Sequence, residues 1–437
     1  MDYSRQVNIL VEYIKNGEKK KEEFKIGMEM EHLVLNKDTY EAIPYYGNKG
    51  VEGVLLELVN VGWQPEYEGK HLLKLIKKDS VITLEPGAQL EISIAPFSSL
   101  KKIKDIYFSF LDDLIPILNK RGMILAAIGY QPVTSISEIP LLPKDRYKYM
   151  FEYLGQRGKY AHHMMKGTAS LQVNLDYMDE RDYIKKIRVA YFLSTFIYMF
   201  FDNGPFFERN IFKDGSVRSL IWENCDNDRC GLIKGIFDEN LSYKTYAEYI
   251  LNTPAIITKK GEELFYTGNK LNKDIFNPDQ YTLDEISHMF SMVFPDIRTK
   301  QFIEIRMSDS LPYPYNFGYL SMMKGLLYNQ ENLDNLYNKS LQFDELSYFS
   351  TKNDIKQFGL ATIFRNKPIV DFFLNEILLP AKKGLAEEER DYINCLINLF
   401  NMEFPLKQHI INNYCSYKAL DLEYCTLEGT LNVGECI

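Results

Sequence analysis

Four stretches of this chain alternate polar and apolar residues, and each polar set carries groups suited to a cation or a phosphate. Ile26–Leu33 sets Glu29 and Glu31 against Met28 and Met30. Gln89–Ile94 sets Gln89, Glu91 and Ser93 against Leu90, Ile92 and Ile94. Ser170–Asp176 sets Ser170, Gln172, Asn174 and Asp176 against Leu171, Val173 and Leu175. Phe302–Ser308 sets Glu304, Arg306 and Ser308 against Ile303, Ile305 and Met307. A period of two is the strand signature, because successive side chains leave opposite faces. Such strands predict one antiparallel sheet with an apolar back and a carboxylate-rich front as its working surface.

That front would be electrostatically crowded. Two carboxylates about 4 Å apart repel by about 4 kcal/mol at an effective dielectric near 20. Several such pairs among Glu29, Glu31, Glu91 and Glu304 would consume a stability that is typically about 5–15 kcal/mol. Either some of these groups are protonated or cations sit among them; an ordinary sheet with a solvated outer face is the plainer alternative. The donors are carboxylates and amides with no cysteine, so hard cations fit best, and Mg²⁺ with ATP phosphates is the expected guest. Neither G-x-x-x-x-G-K-[ST] nor G-x-G-x-x-G occurs, so a nucleotide would have to be held through metals.

Charge and cysteine usage exclude other classes. The net charge of −9 comes without a basic stripe, so nucleic acid is not an expected partner. Six cysteines in 437 residues make no disulfide scaffold and are expected to be reduced. The N-terminus has no apolar signal core, and the longest apolar run, Val189–Phe201, is too short to span a bilayer. A soluble, cytoplasmic protein with no membrane partner is expected. His32 shares parity with Met28 and Met30 and is expected in the core. The adjacent His162 and His163 diverge by about 100° on a helix and make a poor joint ligand pair.

The pattern predicts a single α+β catalytic domain over residues 1–437, a large antiparallel sheet with helices on its back. Residues 1–23 form an N-terminal helix (2–16) and a charged connection. Pro86-Gly87 joins Val81–Glu85 and Gln89–Ile94 in a hairpin, followed by helix Leu100–Lys120 and a short strand Ile124–Gly129. A loop and short helix are expected over 140–168, and a long helix over Arg181–Phe201. Residues 205–280 look irregular, Leu283–Phe294 helical, and 316–437 mainly helical.

Two arginines, Arg218 and Arg229, flank Trp222, and a guanidinium fork matches a carboxylate or phosphate bidentately. A loop with ordinary ion pairs to Asp226 and Asp228 is the alternative. Arg306 shares a face with Glu304, where a cation suits charge on a transferring phosphoryl group.

These stretches, in this order, resemble the glutamate–cysteine ligases of plant and proteobacterial type, carboxylate–amine ligases grouped with glutamine synthetase. The match runs through Ile26-Gly-Met-Glu-Met-Glu31, Thr83-Leu-Glu-Pro-Gly-Ala-Gln-Leu-Glu-Ile-Ser93, Gly129-Tyr-Gln-Pro132 and Pro143-Lys-Asp-Arg-Tyr147. It continues through Gln172-Val-Asn-Leu-Asp176, the Arg218–Arg229 loop, Phe294-Pro-Asp-Ile-Arg298 and Phe302-Ile-Glu-Ile-Arg306. The resemblance implies a glutamine synthetase-like fold, its sheet curved into a saddle or half-barrel, with two or three Mg²⁺ held by Glu29, Glu31, Glu85, Glu91 and Glu304. It implies that Arg306, with Glu304, serves catalysis, and that Arg218, Trp222, Arg229, Gln172, Asn174 and Arg146 bind substrate. ATP would phosphorylate the γ-carboxylate of glutamate, and the amine of cysteine would then attack the acyl phosphate, in a monomer or homodimer. The chain departs from the family where Gly167 and Phe151 replace arginines and Ala169 replaces a cysteine. A different amine acceptor or acid donor is therefore the alternative.

Overall fold

The alternating stretches close into one sheet. The computed structural model describes residues 2–261, 263–401, 406–417, 422, 425 and 426. Its main sheet has nine strands: β1 (Ile26–Asn36), β2 (Gln64–Glu68), β3 (His71–Lys77), β4 (Ser80–Leu84), β5 (Leu90–Phe97), β6 (Met123–Ala126), β7 (Ser170–Leu175), β8 (Ile297–Thr299) and β9 (Ile303–Asp309). Their order is β8-β9-β7-β1-β5-β4-β3-β2, with β6 on the far end of β1. Every pairing is antiparallel.

Register decides what the front face offers. Glu31 stands opposite Glu91, and Glu29 stands between Ser93 and Gln172. Asn174 faces Glu304, which faces Arg298 in turn. A one-residue slip would turn each of these groups into the core. The even-numbered side chains of β1 already fill that core: Met28 and Met30 are fully buried, beside Ile92, Val173 and Ile305. Helices Leu100–Lys120, Glu180–Phe200 and Tyr315–Leu327 cover this apolar back. His32 lies there as expected, its Nε2 2.9 Å from the Tyr107 hydroxyl, and burial pushes its imidazole down to about 4. A neutral core histidine is the result.

The helices predicted at both ends of the first half stand within a residue or two of their expected limits, at Tyr3–Lys15, Leu100–Lys120 and Glu180–Phe200. Asp2 caps the first by accepting from the Arg5 amide at 3.1 Å. The segment 205–280 differs from expectation. It contains helices Val217–Glu223 and Tyr243–Asn252 and a hairpin of Pro254–Lys260 with Glu263–Leu271. The second hairpin strand exposes most of its side chains, and register shifts at Ile256 break the period of two. The outer strands β2 and β3 and helix Val51–Asn60 were also unpredicted; β2 is almost wholly exposed and carries no alternation. Residues 140–168 hold two helices, Asp145–Leu154 and Ala161–Gly167, which rise over the front of the sheet.

Candidate active site

The front face divides into an acidic half and a basic half. Glu29, Glu31, Glu85 and Glu91 make up the acidic half on β1, the β4 end and β5. Glu31 is fixed by the Ser170 amide at 2.8 Å and the Gln172 amide group at 3.2 Å. Glu29 accepts from Asn174 Nδ2 at 2.7 Å, and Glu91 accepts from Thr83 at 2.8 Å. These bonds aim the carboxylates but do not neutralise them. Burial and then the Glu85 charge push Glu31 up to about 7 against the opposing Arg218 and Arg306. Burial, Glu85, Glu29 and Glu31 push Glu91 well above the usual carboxylate range.

Such mutual repulsion is what a hard cation relieves, and the donor chemistry suits one. The Asn174 Oδ1, buried and without a partner, adds an oxygen donor on the same face. Among the described residues, no three His, Cys, Asp or Glu side chains already stand in the geometry of a single ion site. The fit therefore rests on charge and donor type.

The basic half is built around Glu304. Its carboxylate, fully buried, accepts from Arg298 Nη2 at 2.6 Å and Arg298 Nε at 3.1 Å. Lys300 Nζ lies 3.0 Å from the second oxygen, and Arg306 Nη1 donates to the first. Four donors occupy a group with about four lone-pair sites. Burial alone would raise the Glu304 carboxyl, but Arg298, Lys300 and Arg306 hold it well below the usual range. Glu304 was expected with the metal ligands; in this structure it is instead the shared counter-ion of three cations. Arg306 also donates to Gln172 Oε1 at 2.6 Å, so Gln172 bridges the two halves: its amide nitrogen serves Glu31 and its oxygen serves Arg306.

A pocket opens where the halves meet, lined by Glu31, Glu85, Tyr147, Arg218, Trp222 and Arg306 among others. Arg218 spends one nitrogen on the Arg306 carbonyl at 2.7 Å; its buried Nε and Nη1 have no partner. The Trp222 Nε1 is likewise unpartnered, and its ring lies 5.4 Å from the Arg218 guanidinium. Buried donors without acceptors cost stability and mark a place for an anionic ligand.

Arg229 does not join them. It is fully buried, with Nε 2.7 Å from Asp226, Nη1 2.7 Å from the Met292 carbonyl and Nη2 3.0 Å from the Pro254 carbonyl. It braces the loop and does not line the pocket, so the ion-pair alternative holds for Arg229, whereas Arg218 stands in no ion pair among the described residues. Arg146 sits at the margin, with Nη2 on the Ser291 carbonyl at 3.1 Å and a buried, unpartnered Nε. Arg298, not singled out as a site residue from sequence, is the strongest partner of Glu304; its cross-strand position opposite Glu304 was the available signal.

The family departures point away from the pocket. A Cβ on Gly167 would lie 2.5 Å from the Tyr130 ring and 2.8 Å from Ile136, inside an apolar cluster. Phe151 stacks on His162 at 3.6 Å and does not line the pocket. The pocket wall is tied down nearby: Gln89 accepts from the Gly87 amide at 2.8 Å and donates to the Met165 and Thr168 carbonyls at 3.2 and 2.9 Å. Gly87 is required there, since a Cβ would meet the Lys166 carbonyl oxygen at 2.4 Å.

Comparison with known proteins places the chain as a whole. The model for glutamate-cysteine ligase family 2 matches residues 25–359. The chain is 30% identical over 390 residues to the chloroplastic glutamate–cysteine ligase A of Oryza sativa subsp. japonica, covering 88% of this chain and 78% of that protein. It is 27% identical over 415 residues to the chloroplastic glutamate–cysteine ligase of Medicago truncatula, covering 93% and 81%. A Francisella tularensis glutamate–cysteine ligase, solved in complex with AMP, superposes with a TM-score of 0.54 at 11% identity over 90% of this chain and 85% of that one, a likeness of fold. No helix among the described residues is long and apolar enough to cross a membrane.

Proposed function

The chain belongs to glutamate-cysteine ligase family 2, and from that premise we propose the chemistry of its divided sheet face. The protein is an ATP-dependent ligase that joins the γ-carboxylate of glutamate to the amine of cysteine, releasing ADP and phosphate. A carboxylate is a poor acyl donor because its oxygen is a poor leaving group. Transfer of the ATP γ-phosphoryl to that oxygen makes an acyl phosphate. The cysteine nitrogen then bonds to the carbonyl carbon, phosphate departs with the bonding electron pair, and the new amide nitrogen sheds a proton.

The division of the face supports this reading more than any other observation. Glu29, Glu31, Glu85 and Glu91 are the residues to hold Mg²⁺, which when bound would neutralise the nucleotide's phosphates. Arg306 faces the phosphoryl group from the other half. Glu304 keeps it charged, and Arg298 and Lys300 hold Glu304 in place and thereby keep Arg306 aimed, so no reorganisation is needed as charge develops. Arg218 and Trp222 supply the unpartnered donors for the glutamate substrate's carboxylate. Gln172 and Asn174 orient Glu31 and Glu29. One catalytic domain, with a continuous core from Val7 to Leu406, carries all of these groups.

An altered acceptor is disfavoured by the directions of Gly167 and Phe151, neither of which reaches the pocket. Incubation of the pure protein with ATP, Mg²⁺, glutamate and cysteine should yield ADP and γ-glutamylcysteine by mass spectrometry. Faster turnover with another amine across a panel would overturn cysteine as the acceptor, and no ADP with any pair would overturn the ligase.

A further inference from the structure

Behind the helix that carries Arg218 and Trp222 lies a second cavity that the ligase chemistry does not use. Its volume is about 490 Å³, within the range of small-molecule sites, roughly 300–1,000 Å³. Helix Val217–Glu223 is the partition between the two. Ser219, Leu220 and Glu223 line the rear cavity, while Arg218 and Trp222 line the substrate pocket. Helices Glu180–Phe200, Glu345–Phe358 and Leu406–Tyr417, with Asp202, the loop 213–216 and Gly359-Leu360, supply the remaining walls.

The charges on these walls are unequally spent. Lys352 is paired with Glu223 at 2.8 Å and Lys407 with Asp202 at 3.1 Å. Lys213 and Lys356 stand in no ion pair among the described residues, although the Lys356 charge also acts on Glu223, against a single unpaired carboxylate, Asp214. The uncommitted balance is therefore positive. Leu220, Ile355, Leu360 and Ile411 give the same cavity an apolar side. A ligand matching both features has one anionic head and an apolar body.

We propose that this cavity binds a small organic anion, a carboxylate or phosphate group on an apolar body, and that occupancy shifts helix Val217–Glu223 and so changes the affinity of the substrate pocket. The binding site stands on its own geometry; the affinity change rests on the ligase reading. The partition is short, and the residues of its two faces alternate within seven positions. A displacement felt at Leu220 is transmitted to Arg218 and Trp222 without any intervening element. Coupling between adjacent sites typically spans about 5–150-fold in affinity.

Phenyl phosphate and phenylacetate are suitable probes, followed by titration calorimetry and by the emission of Trp222, with the Trp222→Phe protein as the optical blank. Saturable binding of one or both is expected, together with a shift in emission and about a fivefold change in KM for glutamate. Binding of both probes assigns recognition to the anion in general; binding of phenyl phosphate alone assigns it to phosphate. The Lys213→Glu/Lys356→Glu double variant, at sites outside the catalytic face, should bind at least tenfold more weakly, whereas Arg218→Ala should bind as the wild type does. No saturable heat from either probe, undiminished binding by the double variant, or loss of binding in Arg218→Ala would overturn the site. Binding that leaves both the emission and KM unmoved would overturn the coupling. If binding and the emission shift persist in a protein with no ligase turnover, the site stands and the ligase reading falls.

Discussion

Replacing Glu91 by Gln should make the metal-free protein more stable and the enzyme inactive. The substitution keeps the shape of a side chain that stands opposite Glu31 across the β1–β5 pair. At about 5 Å and an effective dielectric near 20, a fully ionised pair costs about 3 kcal/mol. Part of that cost is already relieved by protonation: Glu31 stands at about 7 and Glu91 well above the usual range, with burial the first cause and the neighbouring carboxylates the next. A net gain of about 1–2 kcal/mol remains, or about 1–2 °C in Tm for a chain of this length. A carboxyl with a raised folded-state pKa contributes stability that is fully present below its unfolded value, about 4.3, and is lost as pH rises through the folded value. The gain from Glu91→Gln should therefore be near zero below about pH 4.3 and grow as pH rises in EDTA, read by scanning calorimetry. Added Mg²⁺ should stabilise the wild type more at pH 8 than at pH 6, and the variant less at both. Turnover should fall at least about a hundredfold. A variant less stable than wild type in EDTA at pH 8, or one with near-normal turnover, would refute the account of the acidic half.

Four further outcomes follow from the geometry. Glu304→Gln leaves Arg298, Lys300 and Arg306 without their shared counter-ion, so it should cost about 3–5 kcal/mol, lower Tm by about 3–5 °C and abolish turnover; an unchanged melting curve would contradict that role. Arg218→Ala should raise KM for glutamate at least about thirtyfold with little change in Tm, since two of its nitrogens have no partner in the folded protein. Arg229→Ala should do the reverse, leaving buried Asp226 with only the longer Arg157 contact at 3.4 Å, with a loss of about 3 kcal/mol in chemical denaturation and KM for glutamate in the folded fraction unchanged. Gly167→Arg, which restores the family residue, should lower stability because of Tyr130 and Ile136 and leave KM no better, as steady-state kinetics would show.

What sequence could resolve here followed from periodicity. The front strands were legible because one face is apolar and the other polar, which makes the alternation of Glu29 and Glu31 with Met28 and Met30 unambiguous, even though the fold buries Glu31 as well. The exposed strands Gln64–Glu68 and Glu263–Leu271 lack that contrast and left no pattern to find. Residue type could propose that Arg218 and Arg229 bind an anion, but only the fold separates them. Asp226, three positions before Arg229, takes its Nε, and the carbonyls of Met292 and Pro254 take the other two nitrogens from outside the loop, while Nε and Nη1 of Arg218 find no partner. The counter-ions of Glu304 were hidden for a related reason: parity put it on the correct face, but Arg298 and Lys300 reach it across a tight turn between β8 and β9.

The Gln89 clasp bears on how the pocket breathes. One side chain pins the β4–β5 turn to the backbone at Met165 and Thr168, so the roof over Glu85 and Glu31 moves as one piece with the sheet. The opposite wall is a helix of seven residues, and Arg218 links it to the sheet through one hydrogen bond to the Arg306 carbonyl. Substrate traffic should therefore swing on that side alone. In hydrogen exchange, the amides of 217–223 should open well before those of 165–172, giving the enzyme one hinged door and one fixed jamb.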